Sequence, residues 1–401
     1  MNQATARSRD RNFKRDFNQN PFIVIWEVTR ACQLHCLHCR AEAQRIRDPR
    51  ELTTEEGYAL IDAIAEMDNP LLVFTGGDPL ERPDLFDFIR YGRSKGLQVS
   101  ITPSATPKVT AEAIAAAKAA GLERWAFSLD GSNAEIHDKF RGTKGSFDRT
   151  MTALGILREQ GIPIQINTTV TRYNLDDLER IAQVVESFEA VLWSVFFLVP
   201  TGRARAKDMV TAREHEAVMN WLYERSKRST FDVKTTAAPH YRRVVIQHLK
   251  DEGNAQQMAN PREAAVEGIG HETDTVPFKA PSMRGFAVGP LGSGIDPLRS
   301  GRGVNDGNGF VFISHIGDVY PSGFLPIKAG NVRETSLSVL YRESPVFKSL
   351  RDVNQLKGKC GACEFRQVCG GSRARAYAVT GDYLESDPSC AYIPRALVVG
   401  E

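Results

Sequence analysis

Between residues 22 and 200, short apolar runs alternate with longer stretches in which apolar residues recur at helical spacing. Residues 22–26 are a β-branched apolar run that predicts a buried strand. Residues 54–67 bring Leu60, Ile61 and Ile64 to one face, and Thr54 followed by two acids suits a helix start. Residues 71–74 predict the next strand, and residues 84–95 a helix entered through Pro83. Then come a strand at 98–102, an alanine-rich helix at 110–120 stopped by Gly121, and a strand at 125–129. A helix at 146–160, a strand at 164–170, a helix at 175–187 and a strand at 191–198 complete the series. Six apolar strands alternating with helices predict a parallel sheet covered by helices. Six repeats are too few to close an eight-stranded barrel, so the expected fold is α/β, a partial, TIM-like (β/α)6 barrel. Chemistry in such barrels sits at the C-terminal ends of the strands. Four polar or glycine-rich loops fall there: residues 32–39, Gly76-Gly77-Asp78-Pro79, Pro103-Ser104 and Asp130-Gly131. They are expected to face one mouth.

Beyond residue 200 the pattern weakens. Residues 285–309 are rich in glycine with Asp and Asn, lack the strand–turn–helix context of a phosphate-binding fingerprint, and read as a lid loop over the mouth. Residues 309–313 and 319–321, around His315-Ile316-Gly317-Asp318, read as a hairpin.

Charge changes this picture little. Lys and Arg number 51 against 49 Asp and Glu, a formal net charge of +2, which points to neither nucleic acid nor an acidic partner. No apolar run is long enough to span a membrane. Residues 1–20 are polar and lack a secretory signal's apolar stretch, so a cytoplasmic location is expected.

The cysteines change it most. All seven fall into two groups at opposite ends of the chain: Cys32, Cys36 and Cys39, then Cys360, Cys363, Cys369 and Cys390. A reducing compartment disfavours disulfides, and such spacings suit metal binding. Three thiolates on one loop can hold a four-iron cube and leave one iron open to activate a ligand. Four thiolates can saturate a second cube or, equally by residue type, a zinc ion.

Cys32-x3-Cys36-x2-Cys39 resembles the cluster motif of the radical S-adenosylmethionine (SAM) superfamily. Thr75-Gly76-Gly77-Asp78-Pro79 looks like its GGEP motif, with Asp78 in place of the usual Glu. Ser128-Leu129-Asp130-Gly131 looks like its SLDG segment, and Arg141 like the arginine that meets the SAM carboxylate. Leu198 stands where the family packs the adenine, and Ser104 lies on the third motif loop. The resemblance implies a [4Fe–4S] cluster whose open iron binds SAM. It also implies reductive cleavage to a 5′-deoxyadenosyl radical, hydrogen abstraction from a substrate, and an electron donor such as flavodoxin or ferredoxin.

Residues 360–371 and 387–390 resemble the auxiliary-cluster region of the SPASM/twitch branch. A full SPASM domain uses seven cysteines for two auxiliary clusters. Here Ser322 and Ser372 stand where relatives often carry cysteine, which leaves one auxiliary [4Fe–4S] cluster with four ligands. The expected division is a polar tail (1–20), a radical SAM core (21–230), a linker with a substrate-binding loop region (231–308) and an auxiliary-cluster domain (309–401).

Residues 234–241 are similar to radical SAM enzymes of the alternative heme and heme d1 pathways, which act on modified tetrapyrroles, including decarboxylation of propionate side chains. That resemblance makes His240 a candidate catalytic group that could donate a proton or touch a tetrapyrrole metal, and Arg242 and Arg243 candidate carboxylate contacts. The substrate is then a modified tetrapyrrole or another small molecule. A second reading is maturation of a ribosomally made peptide, though only about 20 polar residues precede the first strand. A third, a non-catalytic iron–sulfur or zinc scaffold, gives no reason for a three-thiolate site beside SAM-type loops.

Overall fold

The computed structural model describes residues 15–259 and 303–398. The first fourteen residues of the polar tail, and residues 285–302 of the expected lid, lie outside the described residues. Six parallel strands run in chain order: β1 (Ile23–Glu27), β2 (Leu71–Thr75), β3 (Val99–Ile101), β4 (Arg124–Ser128), β5 (Ile164–Val170) and β6 (Leu192–Phe197). Helices α1 (Thr54–Ala65), α2 (Leu85–Ser94), α3 (Ala111–Ala119), α4 (Ala134–Arg141), α5 (Ser146–Glu159) and α6 (Leu178–Ser187) connect them. The first helix begins at Thr54, as its pattern suggests, and ends two residues short of Met67. Thr53 is its N-cap and forms a capping box with Glu56.

The six strands do not stand alone. After α7 (Ala212–Ser226), residues placed above in the linker form β7 (Asp232–Thr236), parallel to β6, and then α8 (His240–Ala259). On the other side β8 (Phe310–Ile313) pairs in parallel with β1, so the sheet runs across the expected boundary at residue 309. The hairpin expected there is β8 with β9 (Asp318–Tyr320), followed by β10 (Gly330–Asn331). The sheet order is β10-β9-β8-β1-β2-β3-β4-β5-β6-β7, an open barrel with edges at β10 and β7. The C-terminal region adds α9 (Leu337–Glu343), α10 (Pro345–Arg351), α11 (Gly358–Ala362) and α12 (Arg373–Thr380).

Alternation along the strands separates two faces. Val24, Trp26, Leu72, Phe74, Trp125, Phe127, Ile166 and Trp193 face the helices and are almost completely buried. Trp26 meets Phe74 at 5.7 Å and Phe88 of α2 at 5.1 Å. Each such side chain contributes about 2–3 kcal/mol by leaving water. Residues of the opposite face, among them Ile25, Val73, Ser128, Gln165 and Phe196, are partly accessible. The barrel therefore encloses a lumen that solvent can reach.

Candidate active site

The loop after β1 carries the first three cysteines and is held by backbone bonds. Cys32 N donates to Gln44 O at 2.8 Å, and Leu37 N to Phe140 O at 3.0 Å. Cys32 and Cys36 are buried and Cys39 half-buried. The Cys32 thiol lies 3.5 Å from the Ser104 hydroxyl and accepts from Leu34 N at 3.3 Å. Arg141 Nη1 donates to Cys36 Sγ at 3.5 Å. Burial pushes the Cys32 thiol up to about 11 and also raises Cys36, so a bound cation is what would convert them to thiolates.

The β2 loop packs on this one backbone to backbone. Gly77 N donates to Thr29 O at 2.8 Å and Asp78 N to Ala31 O at 2.7 Å. A Cβ on Gly77 would stand 2.4 Å from Ala31 O, and one on Gly76 2.6 Å from Thr29 O, so only glycine permits the approach. The Asp78 carboxylate turns into the protein. It accepts from Thr106 Oγ1 at 2.7 Å, Leu80 N at 3.2 Å and Ser104 N at 3.4 Å, next to Pro79. Burial raises it to about 6.

From the far side, Asp130 is completely buried, accepts from Thr169 N at 2.7 Å and pairs with Arg141 Nη2 at 2.7 Å. Burial pushes its carboxyl up and Arg141 opposes that. Arg141 thus spans Asp130 and Cys36. Ser128 ends β4 on the lumen face, and Leu198 lies buried just after β6. Cys32, Cys36, Gly76, Gly77, Asp78, Ser104, Asp130 and Arg141 are therefore brought together around one mouth.

His240 is not among them. It opens α8, is buried, and lines one cavity with Cys360, Cys363, Cys369 and Cys390. Its Nε2 lies 3.3 Å from Asp387 Oδ2, and burial lowers it to about 4. In this second site backbone N–H groups reach the sulfurs, each at 3.4 Å: Asp387 N to Cys360, Phe365 N to Cys363 and Gly371 N to Cys369. Such bonds tune an iron–sulfur centre. Among the described residues no three His, Cys, Asp or Glu side chains converge closely enough for a single metal ion. Four free cysteines around one cavity are a donor set for a cluster or for zinc. Arg242 sits beside this site, donating to Val368 O at 3.1 Å and to Val304 O. Arg243 pairs with Glu216 and lies over the Tyr392 ring.

Several residues of these sites carry no sequence signal. Arg375 is completely buried and spans Asp387 (3.0 Å from both Nε and Nη2), Ala237 O (2.7 Å) and Leu198 O (3.5 Å), joining the ends of β6 and β7 to the second cysteine site. His38 stacks on Phe140 at 4.2 Å. Glu27, at the end of β1, pairs with Arg40 at 2.9 Å and His315 at 3.2 Å, tying the cysteine loop to the β8–β9 hairpin. Two-residue motifs cannot announce such long-range partners. A separate open hollow beside Arg47, Glu51, Arg82 and Asp84 holds none of the site residues.

An open parallel barrel with a three-cysteine loop clamped on a glycine pair defines a radical SAM enzyme. Residues 26–185 match the family profile described as the Radical SAM superfamily, and the chain belongs to that superfamily. It is 40% identical over 374 residues to the AdoMet-dependent heme synthase of Methanosarcina barkeri, covering 93% of this chain and 97% of that one. It is 41% identical to the protein of the same name from Nitratidesulfovibrio vulgaris, covering 94% and 93%. The solved structure of Streptococcus suis SuiB superposes with a TM-score of 0.64 at 16% identity over 97% of this chain and 82% of that one, a likeness of fold. The superfamily implies SAM and one [4Fe–4S] cluster, and the first cysteine site fits both. Among the described residues no helix is long and apolar enough to cross a membrane.

Proposed function

We propose that this radical SAM enzyme acts on a carboxylated iron tetrapyrrole, removing a hydrogen atom and CO2 from propionate side chains. The observation that carries the reading is near-complete alignment, at 40% identity, with a protein named as a heme synthase. The solvent-reached lumen, with Ile25, Val73 and Phe196 on its face, supports it by presenting apolar surface to a flat apolar body.

When bound, the first cluster would supply the electron for reductive SAM cleavage, and a fully ligated second cluster would supply a path for the electron released as the substrate loses CO2. The chain's own residues do the rest. Cys32, Cys36 and Cys39 hold the first cluster. The Gly76–Pro79 backbone receives the SAM amino group, and Arg141, oriented by Asp130, meets its carboxylate. Ser104 and Ser128 border the same pocket, and Leu198 packs the adenine. Cys360, Cys363, Cys369 and Cys390 hold the auxiliary [4Fe–4S] cluster, in the arrangement expected of the SPASM/twitch branch. His240, neutral at its lowered pKa, acts beside that cluster as an orienting group. A small acidic carrier such as flavodoxin or ferredoxin is the proposed electron donor, in the cytoplasm.

The test is anaerobic turnover of reconstituted, reduced protein with SAM and iron coproporphyrin III. We expect 5′-deoxyadenosine together with loss of CO2 from the tetrapyrrole by mass spectrometry. 5′-Deoxyadenosine at the same rate with and without the tetrapyrrole, and no change in its mass, would reject the substrate.

A further inference from the structure

Strand register decides where each side chain of β7 points. Lys234 aligns with Ser194 of β6, which aligns with Asn167 of β5, which aligns with Ser128 of β4. All four belong to the lumen face, because their neighbours Val233, Trp193, Ile166 and Phe127 are buried beneath the helices. Lys234 is therefore a cation inside the barrel.

It lacks a counter-ion. Lys234 makes no hydrogen bond or ion pair with any described residue, although solvent reaches it. The charged groups that act on it are Arg124 of β4 and Arg242 of α8, both cations. Its side chain is exposed to the solvent of the lumen, while the protein mass around it and these two like charges lower its ammonium to about 8. Arg124 has the carboxylates of Asp232 and Glu123 nearby, yet its own hydrogen bonding is incomplete. It is buried, spends one bond on Gln165 Oε1 at 3.3 Å, and leaves its Nε without a partner. Glu123 and Asp232 lie near Arg124, but neither is among the groups that act on Lys234. Uncompensated positive charge in an accessible lumen is the electrostatic shape of an anion site.

The opposite wall is apolar. Ile25, Val73 and Phe312 come from β1, β2 and β8, while Phe196, on the strand next to Lys234, meets Phe324 edge-on at 6.3 Å. Flat apolar surface on one side and an unpaired ammonium on the other match a ligand with an apolar body and a peripheral carboxylate.

We propose that Lys234, backed by Arg124, anchors a side-chain carboxylate of the substrate inside the barrel. The inference rests on the tetrapyrrole reading and adds the residue that recognises the ligand's charge. Ser194 and Thr236, 3.3 Å apart beside it, leave the ammonium free to move toward the ligand. A charge-assisted contact of this kind is the larger share of binding that a neutral analogue forgoes.

The test is an anaerobic absorbance titration of reconstituted holoenzyme with iron coproporphyrin III and with its tetramethyl ester, which keeps the macrocycle and removes the charges. Wild type, Lys234→Met and Lys234→Arg are compared, each first checked for iron content and SAM binding. Lys234→Met should weaken binding of the acid about tenfold or more and leave the ester unchanged. Lys234→Arg should restore most of the loss. Unchanged acid binding in Lys234→Met, or equal loss for acid and ester, overturns the assignment and leaves the tetrapyrrole reading standing. A wild type that binds neither compound overturns both.

Discussion

Gly77 and Glu27 act on the same cysteine loop by different physics. At Gly77 the constraint is steric. Its missing Cβ is what lets two backbones bond across the mouth, and a methyl group would meet a carbonyl oxygen that cannot step aside. Gly77→Ala should destabilise the apoprotein by about 1–3 kcal/mol and lower first-site iron, read by urea unfolding and by iron analysis. At Glu27 the constraint is electrostatic. Burial pushes its carboxyl up, but Arg40, His315 and Arg30 outweigh that and hold it at about 2. An unfolded glutamate titrates near about 4.3. The folded value is depressed, so the stabilisation is complete above about pH 4.3 and is lost as pH falls toward 2. Urea unfolding of the apoprotein across that window should show wild type losing stability while Glu27→Gln, already weaker at pH 7, changes less. Parallel curves for the two proteins would count against this account.

Buried arginines join elements here in addition to the apolar core. Arg375 starts from α12 and reaches the carbonyls that follow β6 and β7, while its partner Asp387 presents a backbone N–H to Cys360. Burial opposes the charge on Asp387, yet Arg375 and His240 hold its carboxyl well below the usual range. Removing the arginine strands a buried carboxylate, a loss of about 3–5 kcal/mol. Arg375→Leu should therefore lower auxiliary iron and shift the auxiliary cluster's electron paramagnetic resonance signal, with the first site's iron retained. An unaltered auxiliary signal would reduce Arg375 to a bystander.

Across the whole molecule, two cysteine sites hang on one sheet, because β8 joins the C-terminal region directly to β1. The sites should still be separable in their chemistry. Anaerobically reconstituted protein should hold about eight irons, and about four after Cys363→Ala or after replacing Cys32, Cys36 and Cys39 together. Cys363→Ala should retain SAM cleavage without product, whereas Cys36→Ala should abolish cleavage. Four irons with one zinc in the wild type would make the second site structural and remove its role in electron transfer.

The order of the six central strands and the positions of the motif loops were legible because both are local. Periods of two and 3.6 residues write themselves into short windows, and a loop between strand and helix lands at a strand's C-terminal end whatever the rest of the chain does. The two cysteine groups were legible for the same reason. Residues 232–236 were not, since Asp-Val-Lys-Thr-Thr carries one buried apolar side chain and becomes a strand only by pairing with β6. Nor was the partner of β1, which lies nearly the whole chain away. The pairings of Arg375 with Asp387 and of Glu27 with His315 were beyond reach too, and so was the second-site location of His240. These depend on which segments meet in space, and hydrogen-bond register and Coulomb energy act between neighbours in space, not between neighbours in sequence.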